Sequence, residues 1–559
     1  MKKRNLFVCF IALFALSGCE FLDNILARFN IRVEDKQKEE EKQNEDTPVV
    51  PKTKVGEFYG GLVEGETYKG YEFSKSQSDI EKPKTGIGEL NIYAFNDFHG
   101  AVLESDEEVG LKYLGTFFKE KSKQKNTLIF DQGDTWQGSF ESNYKHGAIV
   151  QDVFNYAGVS LRTVGNHDFD WSLSRLEENN NRKIGDDYIP TLASNVFDYA
   201  NEVNGTVQQE KYGKEYAIFT MDNGIKVGVV GVIGKSQITS ICSQFVDTIC
   251  FTDHIQKTKE ISDFLRVYKG CDVIIASTHE SSGNLYESDL SNISRVSHKR
   301  YADLVLGGHA HYRQEYTTNG VKYVQWDSNG QSTGLIKLKY DFANNIVVDD
   351  DTNVETYYPN YIRTYFPKID STIEKMVDEY LDEVNPIAKE VLSTNFTGYW
   401  DSNKLGYLMS EAIFNKAKNM GFSVDFAVCN YARTDFYGES FTYRDLYKCF
   451  PFDNEIILMD VSEAYSCNTI RNNETYREDT SLSPVAGNTY TIAVVDYLGL
   501  HQNEYRHYNY FPDATNMSVL TDDNGERPIY RNILKDYFKN NPTRTFNADD
   551  YGSNNPHCL

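Results

Sequence analysis

The feature that most constrains the fold is a repeated pattern between residues 89 and 306, where short apolar runs are each followed by polar residues. The runs have the length and the Val, Ile and Leu content of buried strands. They lie at 90–95, 127–130, 226–233, 272–277 and 304–306. Amphipathic stretches at 111–121 and 254–268 separate them and predict helices. This alternation predicts a layered α/β core, in which polar residues beyond the strand ends line the ligand crevice.

Length and charge restrict the classes of protein that the chain can form. A chain of 559 residues is too long for one core, so two domains with tails are expected. Hydrophobic residues make up 40% of the chain, which argues against disorder throughout. The formal net charge of −25 argues against a nucleic-acid partner, which needs a basic surface. Small anionic substrates remain compatible with it, because metal ions and an arginine reverse the local field. No obligate protein partner is predicted.

Residues 1–19 have the form of an export signal. Lys2, Lys3 and Arg4 precede an apolar run at 6–16 that is too short to span a bilayer. The run ends at 16–19 (Leu-Ser-Gly-Cys), which resembles the lipobox of bacterial lipoproteins, where the cysteine is diacylated. We therefore expect an extracytoplasmic protein that is anchored to a bacterial membrane through Cys19. An ordinary signal peptide is the alternative.

Composition divides the rest of the chain into segments. Residues 33–54 are charged and contain proline, as expected for a solvated tether. A helix at 405–418 and strands at 425–429 and 490–495 predict a second globular region. The predicted segments are a tether with a small N-terminal element at 20–86, a first domain at 87–350, a connecting helix at 360–392, a second domain at 393–547 and a tail at 548–559.

Five separated motifs, most of them at or near the ends of the predicted strands, contain the same kinds of side chain. They are 96–100 (Asn-Asp-Phe-His-Gly), 131–134 (Asp-Gln-Gly-Asp), 165–170 (Gly-Asn-His-Asp-Phe-Asp), 277–280 (Ser-Thr-His-Glu) and 307–311 (Gly-Gly-His-Ala-His). Five of the chain's 11 histidines lie in these motifs, too many for a chance distribution. Carboxylate and imidazole ligands without thiolates suit Zn, Mn, Fe or Co better than Ca or Mg. The set fits a two-metal hydrolase.

The order of these motifs and the residues in them resemble those of the 5′-nucleotidase family of the metallophosphoesterase superfamily. The resemblance is strong over 90–340 and loose over 395–500. The resemblance implies an α/β fold, a four-layer αββα sandwich with a smaller α+β C-terminal specificity domain. It also implies two divalent metal ions, Zn, Mn or similar. In that scheme Asp134 bridges the ions. One ion is held by Asp97, His99 and His311, and the other by Asn166, His279 and His309.

The same resemblance assigns a catalytic role to His167. Its ring would stabilise charge in the transition state, and Asp170 would orient it. The implied reaction is hydrolysis of nucleotides or related phosphate esters by attack of metal-activated water on phosphorus. The chain would then be a hydrolase that acts on phosphoric ester bonds.

The C-terminal region resembles the substrate pocket of the same family. Residues 430–435 (Asn-Tyr-Ala-Arg-Thr-Asp) resemble its phosphate-binding loop, shortened by two residues, and 451–454 (Pro-Phe-Asp-Asn) resemble a second loop. By this resemblance Asn430 and Arg433 would contact the phosphate, and Phe452 and Tyr497 would sandwich a flat ring. Core packing is the alternative for the two aromatic residues.

Departures from the family pattern leave the substrate open. Residues 499–503 (Gly-Leu-His-Gln-Asn) stand where the family has Gly-Gly-Asp-Gly, whose aspartate holds ribose hydroxyls. A mono-, di- or cyclic nucleotide, a nucleotide sugar or a non-nucleotide ester all remain possible substrates. The alternative function is a surface binding lipoprotein that has lost turnover. The complete ligand set favours the enzyme.

Overall fold

The structure, a computed structural model, describes most of the chain beyond residue 67. The described residues are 68–74, 81–198, 212–281, 283–349, 352–500, 510–522 and 524–552. The predicted signal sequence, Cys19, the tether at 33–54 and the last part of the tail lie outside them. In the part of the chain that is described, none of the helices has both the length and the apolar character needed to cross a bilayer.

Strands are spread along the whole of the described chain. In chain order they are β1 Gly70–Ser74, β2 Ile87–Phe95, β3 Thr127–Asp131, β4 Leu161–Thr163, β5 Thr191–Leu192, β6 Val196–Asp198, β7 Tyr216–Thr220, β8 Lys226–Ile233, β9 Ile249–Phe251, β10 Val273–His279, β11 Leu304–Leu306, β12 Gln314–Thr318, β13 Val321–Gln325, β14 Thr333–Asp341, β15 Ile346–Val347, β16 Asn353–Tyr357, β17 Val391–Ser393, β18 Phe396–Thr397, β19 Phe426–Cys429, β20 Phe441–Thr442, β21 Ile456–Ser462, β22 Glu474–Tyr476, β23 Thr489–Val495, β24 Thr515–Val519 and β25 Phe546–Asn547.

Helices alternate with these strands. In chain order they are α1 Leu111–Ser122, α2 Phe140–Asn143, α3 Ala148–Ala157, α4 Leu173–Asn180, α5 His254–Val267, α6 Gly283–Leu290, α7 Pro359–Tyr365, α8 Ser371–Ala388, α9 Ser402–Asn419, α10 Tyr443–Cys449, α11 Glu463–Asn472, α12 Asp496–Gly499 and α13 Tyr530–Asn540. Short 3₁₀ turns occur at His167–Phe169, Lys235–Ser240, Ser243–Phe245 and Ala548–Asp550.

Two seven-stranded sheets pack face to face in the first part of the chain. One has the order β1-β7-β8-β10-β11-β13-β12, and the other has β15-β14-β2-β3-β4-β5 with β16 also paired to β14. Their facing sides share one apolar core, in which Ile92 and Phe130 of the second sheet meet Val229 and Ile275 of the first. Alternate residues of β2 point the other way, as the two-residue period of a strand requires.

Helices cover the outer faces of both sheets. On the second sheet, Tyr93 and Ile129 pack with residues of α1, α3 and α8. On the first sheet, Val230 and Ile274 pack with α5 and α6. The layers therefore run helix, sheet, sheet, helix, which confirms the predicted αββα sandwich.

The predicted elements agree well with the observed ones where the apolar runs are strongest. Strands β8 and β11 have the predicted bounds, and β10 extends two residues beyond its predicted end to include His279. The segment predicted as one connecting helix contains α7 and α8. Strand β1 pairs in parallel with β7 at the edge of the first sheet. The extended conformation of β1 is therefore stabilised by a strand that lies far away in sequence.

The C-terminal region forms a five-stranded mixed sheet with the order β22-β19-β23-β21-β24. Helices α9 and α13 share one apolar core with this sheet. An aromatic cluster at one end surrounds Phe396, whose ring contacts Trp400, Phe436, Phe441, Phe538 and Phe546. This α+β region lies within the segment at 393–547 that the sequence predicts as a second domain.

Replacing Phe396 by alanine should destabilise this region, because Phe396 is buried and contacts five other aromatic rings. We expect Phe396→Ala to lower the free energy of unfolding by about 3–5 kcal/mol. Urea unfolding followed by circular dichroism measures the change. Tyr365→Ala is the control, because Tyr365 is 66% exposed and should have little effect. A loss below about 1 kcal/mol for Phe396→Ala would contradict this assignment of the core.

Candidate functional site

The predicted ligand residues lie at the carboxyl ends of parallel strands. Strands β2, β3 and β4 are parallel neighbours in one sheet, and β8, β10 and β11 are parallel neighbours in the other. The five motifs follow β2, β3, β4 and β11 or contain the end of β10. Because the sheets stack on each other, these ends form one crevice. The seven side chains, spread over 215 positions from Asp97 to His311, meet there.

The turns that present these side chains have unusual backbone conformations. The φ angles of Asp97, His99, Asp134, His309 and His311 are 48°, 48°, 55°, 78° and 63°. Residues with a Cβ seldom adopt this left-handed region, and such strain persists only where the surrounding structure imposes it. Five strained residues at one place, all of them predicted ligands, are typical of a functional site.

Close packing of two turns requires a glycine at position 165. A Cβ there would lie 2.2 Å from Asp134 Oδ1, which is too close for any side chain. The contact lets the turn after β4 approach the turn after β3. It also allows the His167 N–H to donate to Asp134 Oδ1 at 2.7 Å.

The first group of candidate ligands contains Asp97, His99, Asp134 and His311, whose ligand atoms lie within 4.8 Å of one another. His311 Nε2 is 3.3 Å from Asp97 Oδ1 and 3.1 Å from His99 Nε2. His99 Nε2 is 3.9 Å from both Asp97 Oδ1 and Asp134 Oδ2. Two carboxylates and two imidazoles thus converge on one point.

The second group shares Asp134 with the first. Asp134, His279 and His309 bring their ligand atoms within 4.8 Å of one another, and His279 Nε2 is 3.2 Å from Asp134 Oδ2. The Asn166 amide oxygen lies 3.1 Å from His279 Nε2 and 2.9 Å from His309 Nδ1. The structure therefore brings all seven predicted ligands into two adjacent groups joined by one carboxylate.

Main-chain carbonyls orient two of the imidazoles. His99 Nδ1 is 2.9 Å from the carbonyl of Gln137, and His279 Nδ1 is 2.8 Å from the carbonyl of Gln132. With Nδ1–H donating to these oxygens, Nε2 of each ring is left as a ligand atom, which is the usual arrangement of a metal-binding histidine. Sequence analysis did not identify these two glutamines, because every residue type has a main-chain carbonyl and the sequence does not show which of them accepts a hydrogen bond.

Burial and neighbouring charges set the protonation of the imidazoles. Burial, reinforced by nearby histidines, lowers the pKa of His99 to about 3 and that of His309 to about 4. Both rings are therefore neutral near pH 7, the form that binds metals. Burial also opposes charge on His279, but the carboxylates of Asp134 and Asp97 outweigh it and raise its pKa to about 10. A cation in this group would displace that proton.

The chemistry of these side chains fits metal cations. Asp134 Oδ2 is fully buried and has no hydrogen-bond partner in the structure. It faces His279 Nε2, whose ring already uses Nδ1, and the amide oxygen of Asn166 is the third acceptor at the same point. Once the His279 proton is displaced, these three atoms are buried acceptors without a donor, and a metal cation would supply the positive charge that they need. Oxygen and nitrogen donors without thiolates suit transition metals such as Zn or Mn.

His167 lies beside the two groups and belongs to neither. Its Nδ1 is 2.8 Å from Asp170 Oδ2, as the sequence predicted for an oriented ring. Burial opposes a positive charge on His167, but Asp170 and Asp134 outweigh it and raise its pKa. The ring is thus positioned to carry a proton at the edge of the crevice.

Phe452 links the C-terminal region to this histidine. Its ring stacks on His167 with a centroid distance of 5.5 Å and an interplanar angle of 24°. The Arg433 guanidinium carbon lies 5.5 Å from the centroid of the same ring. The loop that contains Phe452 is held from the other side, where Gln137 and Asn143 donate to the Pro451 carbonyl at 3.3 and 3.4 Å.

A cleft of about 570 Å³ opens beside the ligand groups. Its walls include Asn166, His167, Asp170, His309 and His311 from the sandwich, together with all four predicted substrate residues, Asn430, Arg433, Phe452 and Tyr497. The volume is that of a small-molecule site. Trp171, Phe245 and Tyr510 also line it, and no sequence signal distinguished these from core aromatics.

Comparison with known proteins agrees with this geometry. Residues 90–313 match the calcineurin-like phosphoesterase family. A 5′-nucleotidase of Diplobatis ommata is 28% identical over 232 residues, which cover 40% of this chain and 37% of that protein. The protein UshA of Yersinia enterocolitica is 23% identical over 432 residues, which cover 68% of this chain and 75% of that protein.

Solved structures share the same fold. That of a 5′-nucleotidase precursor from Thermus thermophilus has a TM-score of 0.64 and 17% identity, and the match covers 81% of this chain and 96% of that one. Among the sequence relatives, the match spans well under half of the Diplobatis protein. The chain thus contains a calcineurin-like phosphoesterase domain at 90–313 and is similar in sequence to 5′-nucleotidases, in agreement with the resemblance seen in its motifs.

Proposed function

We propose that the chain is a dinuclear-metal phosphoesterase that hydrolyses nucleotides or related phosphate esters. The observation that supports this most is the convergence of the seven predicted ligands into two groups that share Asp134. The cleft beside them contains an arginine and a protonatable histidine, the groups that bind and stabilise a phosphate.

In this proposal two divalent cations, Zn, Mn or similar, occupy the two groups. Asp97, His99 and His311 would hold one, Asn166, His279 and His309 would hold the other, and Asp134, which belongs to both groups, would contribute to both. When bound, such a pair supplies Lewis-acid polarisation of the phosphoryl oxygens and activates water for attack on phosphorus.

The residues around the ions have their own tasks. His167, held at Nδ1 by Asp170, would donate a hydrogen bond from its other ring nitrogen to the phosphoryl group and so stabilise the negative charge that develops there. Because Asp170 and Asp134 raise its pKa, the ring holds its proton more strongly than a free imidazole does. Stacking on Phe452 fixes the ring plane.

The residues on the C-terminal side of the cleft bind both the phosphate and the leaving group of the substrate. Arg433 pairs with the phosphate, and the Asn430 amide donates to the same group. Tyr497 and Phe452 offer ring faces to a flat leaving group. The proposal covers mono-, di- and cyclic nucleotides and simpler esters, because the residues that would select among them differ from the family pattern.

We also propose that the protein works outside the cytoplasm, anchored to a membrane through a lipid on Cys19. The basic residues at 2–4, the apolar run at 6–16 and the Leu-Ser-Gly-Cys sequence at 16–19 support this location. Mass spectrometry of the N-terminal peptide from membrane fractions would detect the lipid.

The decisive test is a substrate panel. Purified protein is chelated, resupplied with Mn or Zn, and assayed with mono-, di- and cyclic nucleotides and simple phosphate esters. Metal-dependent release of phosphate from at least one class is expected. Metal uptake without turnover on any of them would support the binding lipoprotein instead.

Asp134→Asn should abolish most turnover, because it removes the anionic charge shared by the two groups. We expect kcat/KM to fall by about 100-fold or more, equivalent to the several kcal/mol that a metal centre supplies. Metal content measured by elemental analysis should fall as well. Asp152→Asn is the control, since Asp152 pairs with Arg182 outside both groups. Near-normal rates in Asp134→Asn would refute the bridging role.

Asp170→Asn should lower the pKa of His167, because the neutral amide no longer stabilises the imidazolium. NMR titration of the ring protons in metal-free protein measures this shift directly. The alkaline limb of the kcat profile should move to lower pH in parallel. Asp349→Asn, which removes a distant partner of Arg300, should leave the titration unchanged. An unaltered pKa in Asp170→Asn would contradict the proposed pairing.

Arg433→Ala should weaken substrate binding, because a charge-assisted bond to phosphate contributes about 1.5–3 kcal/mol. The expected result is an increase in KM of about 10- to 100-fold, with metal content unchanged. Arg175→Ala, at an exposed ion pair on α4, is the matched control. If KM stays constant in Arg433→Ala, the C-terminal region does not bind the phosphate.

A further inference from the structure

Arg162 lies on β4, within the protein interior behind the candidate metal groups. Its side chain is fully buried, although arginine is rarely buried without partners. Nη2 donates to Asn180 Oδ1 and to Thr191 Oγ1, whereas Nε and Nη1 have no hydrogen-bond partner. A buried charge with unsatisfied donors is costly, so its presence in the middle of a fully buried three-residue strand needs an explanation.

The guanidinium rests on the ring of Trp136. Its carbon atom is 3.7 Å from the ring centroid, which is close contact for a cation and an aromatic face. Trp136 is itself fully buried, and its indole N–H donates to Gln151 Oε1 at 3.0 Å. This stacking fixes the guanidinium next to the turn that follows β3.

Two buried carboxylates, those of Asp131 and Asp168, interact with this cation. Asp168 Oδ2 is 3.6 Å from Arg162 Nη1, and Asp131 interacts electrostatically with the same guanidinium. Both carboxylates accept hydrogen bonds from backbone N–H or hydroxyl groups of the surrounding turns. By stabilising the ionised carboxylates, Arg162 therefore also stabilises their hydrogen bonds to these turns.

The turns in question present two of the candidate ligands. Asp168 accepts from the N–H of Thr135 at 3.1 Å and from the N–H of Gly165 at 2.8 Å. Asp131 accepts from the N–H of Gly133 at 3.1 Å and from the hydroxyl of Thr135 at 2.6 Å. These donors flank Asp134 on one turn and precede Asn166 on the other. Asp168 therefore ties the two turns together.

We infer that Arg162 is a positioning residue for the metal centre. Its charge balances the two carboxylates that tie the turns of Asp134 and Asn166 together, and so sets the spacing of these two ligands. The inference rests on the proposed function, because it assigns Asp134 and Asn166 to metal binding. It adds a residue that touches neither the ligand groups nor the cleft.

The test compares two substitutions in the full chain. Arg162→Met keeps length and packing against Trp136 but removes the charge, and Arg162→Lys keeps the charge. Amide hydrogen exchange at Thr135 and Gly165 is measured in metal-free protein, and the Kd for Mn by calorimetry. We expect Arg162→Met to exchange faster at both amides and to raise the Kd by about 10- to 100-fold, with substantial recovery in Arg162→Lys.

Arg182→Met is the matched control, because Arg182 pairs with Asp152 through two hydrogen bonds of 2.6 and 2.7 Å away from the ligand turns. Wild-type exchange and Kd in Arg162→Met, or equal impairment in Arg162→Lys and Arg162→Met, would overturn the inference. Should Arg162→Met not fold, Arg162→Gln, which also removes the charge but keeps a donor for Asn180 and Thr191, replaces it. Faster exchange at Gly165 and weaker Mn binding are expected there, and wild-type values would again overturn the inference.

The outcome is separable from that of the proposed function. If wild-type protein binds no Mn or Zn, the proposed function fails whatever the variants do. Amide exchange in metal-free protein still reports whether Arg162 holds the two turns.

Discussion

The carboxylate of Asp134 is the point on which the site depends. One oxygen accepts the His167 N–H, and the other lies between the two groups of candidate ligands without a hydrogen-bond partner. Concentrating so much polar chemistry in the interior costs free energy, which the two well-packed sheets must outweigh. The left-handed backbone at five ligands and the obligatory Gly165 are consequences of forcing these turns together.

The C-terminal region completes the site. It is joined to the sandwich by an apolar contact around Phe140 and Tyr447, by the ion pair of Arg444 with Glu141, and by hydrogen bonds to the Pro451 carbonyl. These contacts place Phe452 against His167. A residue proposed to touch substrate thereby also orients a residue proposed to act on it, so binding and chemistry are coupled through one ring stack.

Charged residues outside the two ligand groups also interact with the turns that carry the ligands. Burial raises the pKa of Asp131 to about 7, and the neighbouring Arg162 guanidinium opposes that rise. Metal sites depend on such outer partners because ligand orientation is set by what holds the ligands. Under the proposed function, substrate choice would depend on differences in affinity, to which the residues on the C-terminal wall of the cleft would contribute. The C-terminal region also contains the segments at 430–435 and 499–503, whose sequences differ from the motifs of the family that the chain resembles.

The alternation of apolar runs, a local signal, predicted the layered α/β core, and the resemblance of the motifs to a known family indicated which side chains meet. Only the tertiary structure decided how they meet. The Gln132 and Gln137 carbonyls that orient the imidazoles, the stacking of Phe452 on His167, and the burial of Arg162 over Trp136 each join residues distant in sequence. Such contacts follow from how sheets and domains pack, which no local pattern of residue types encodes.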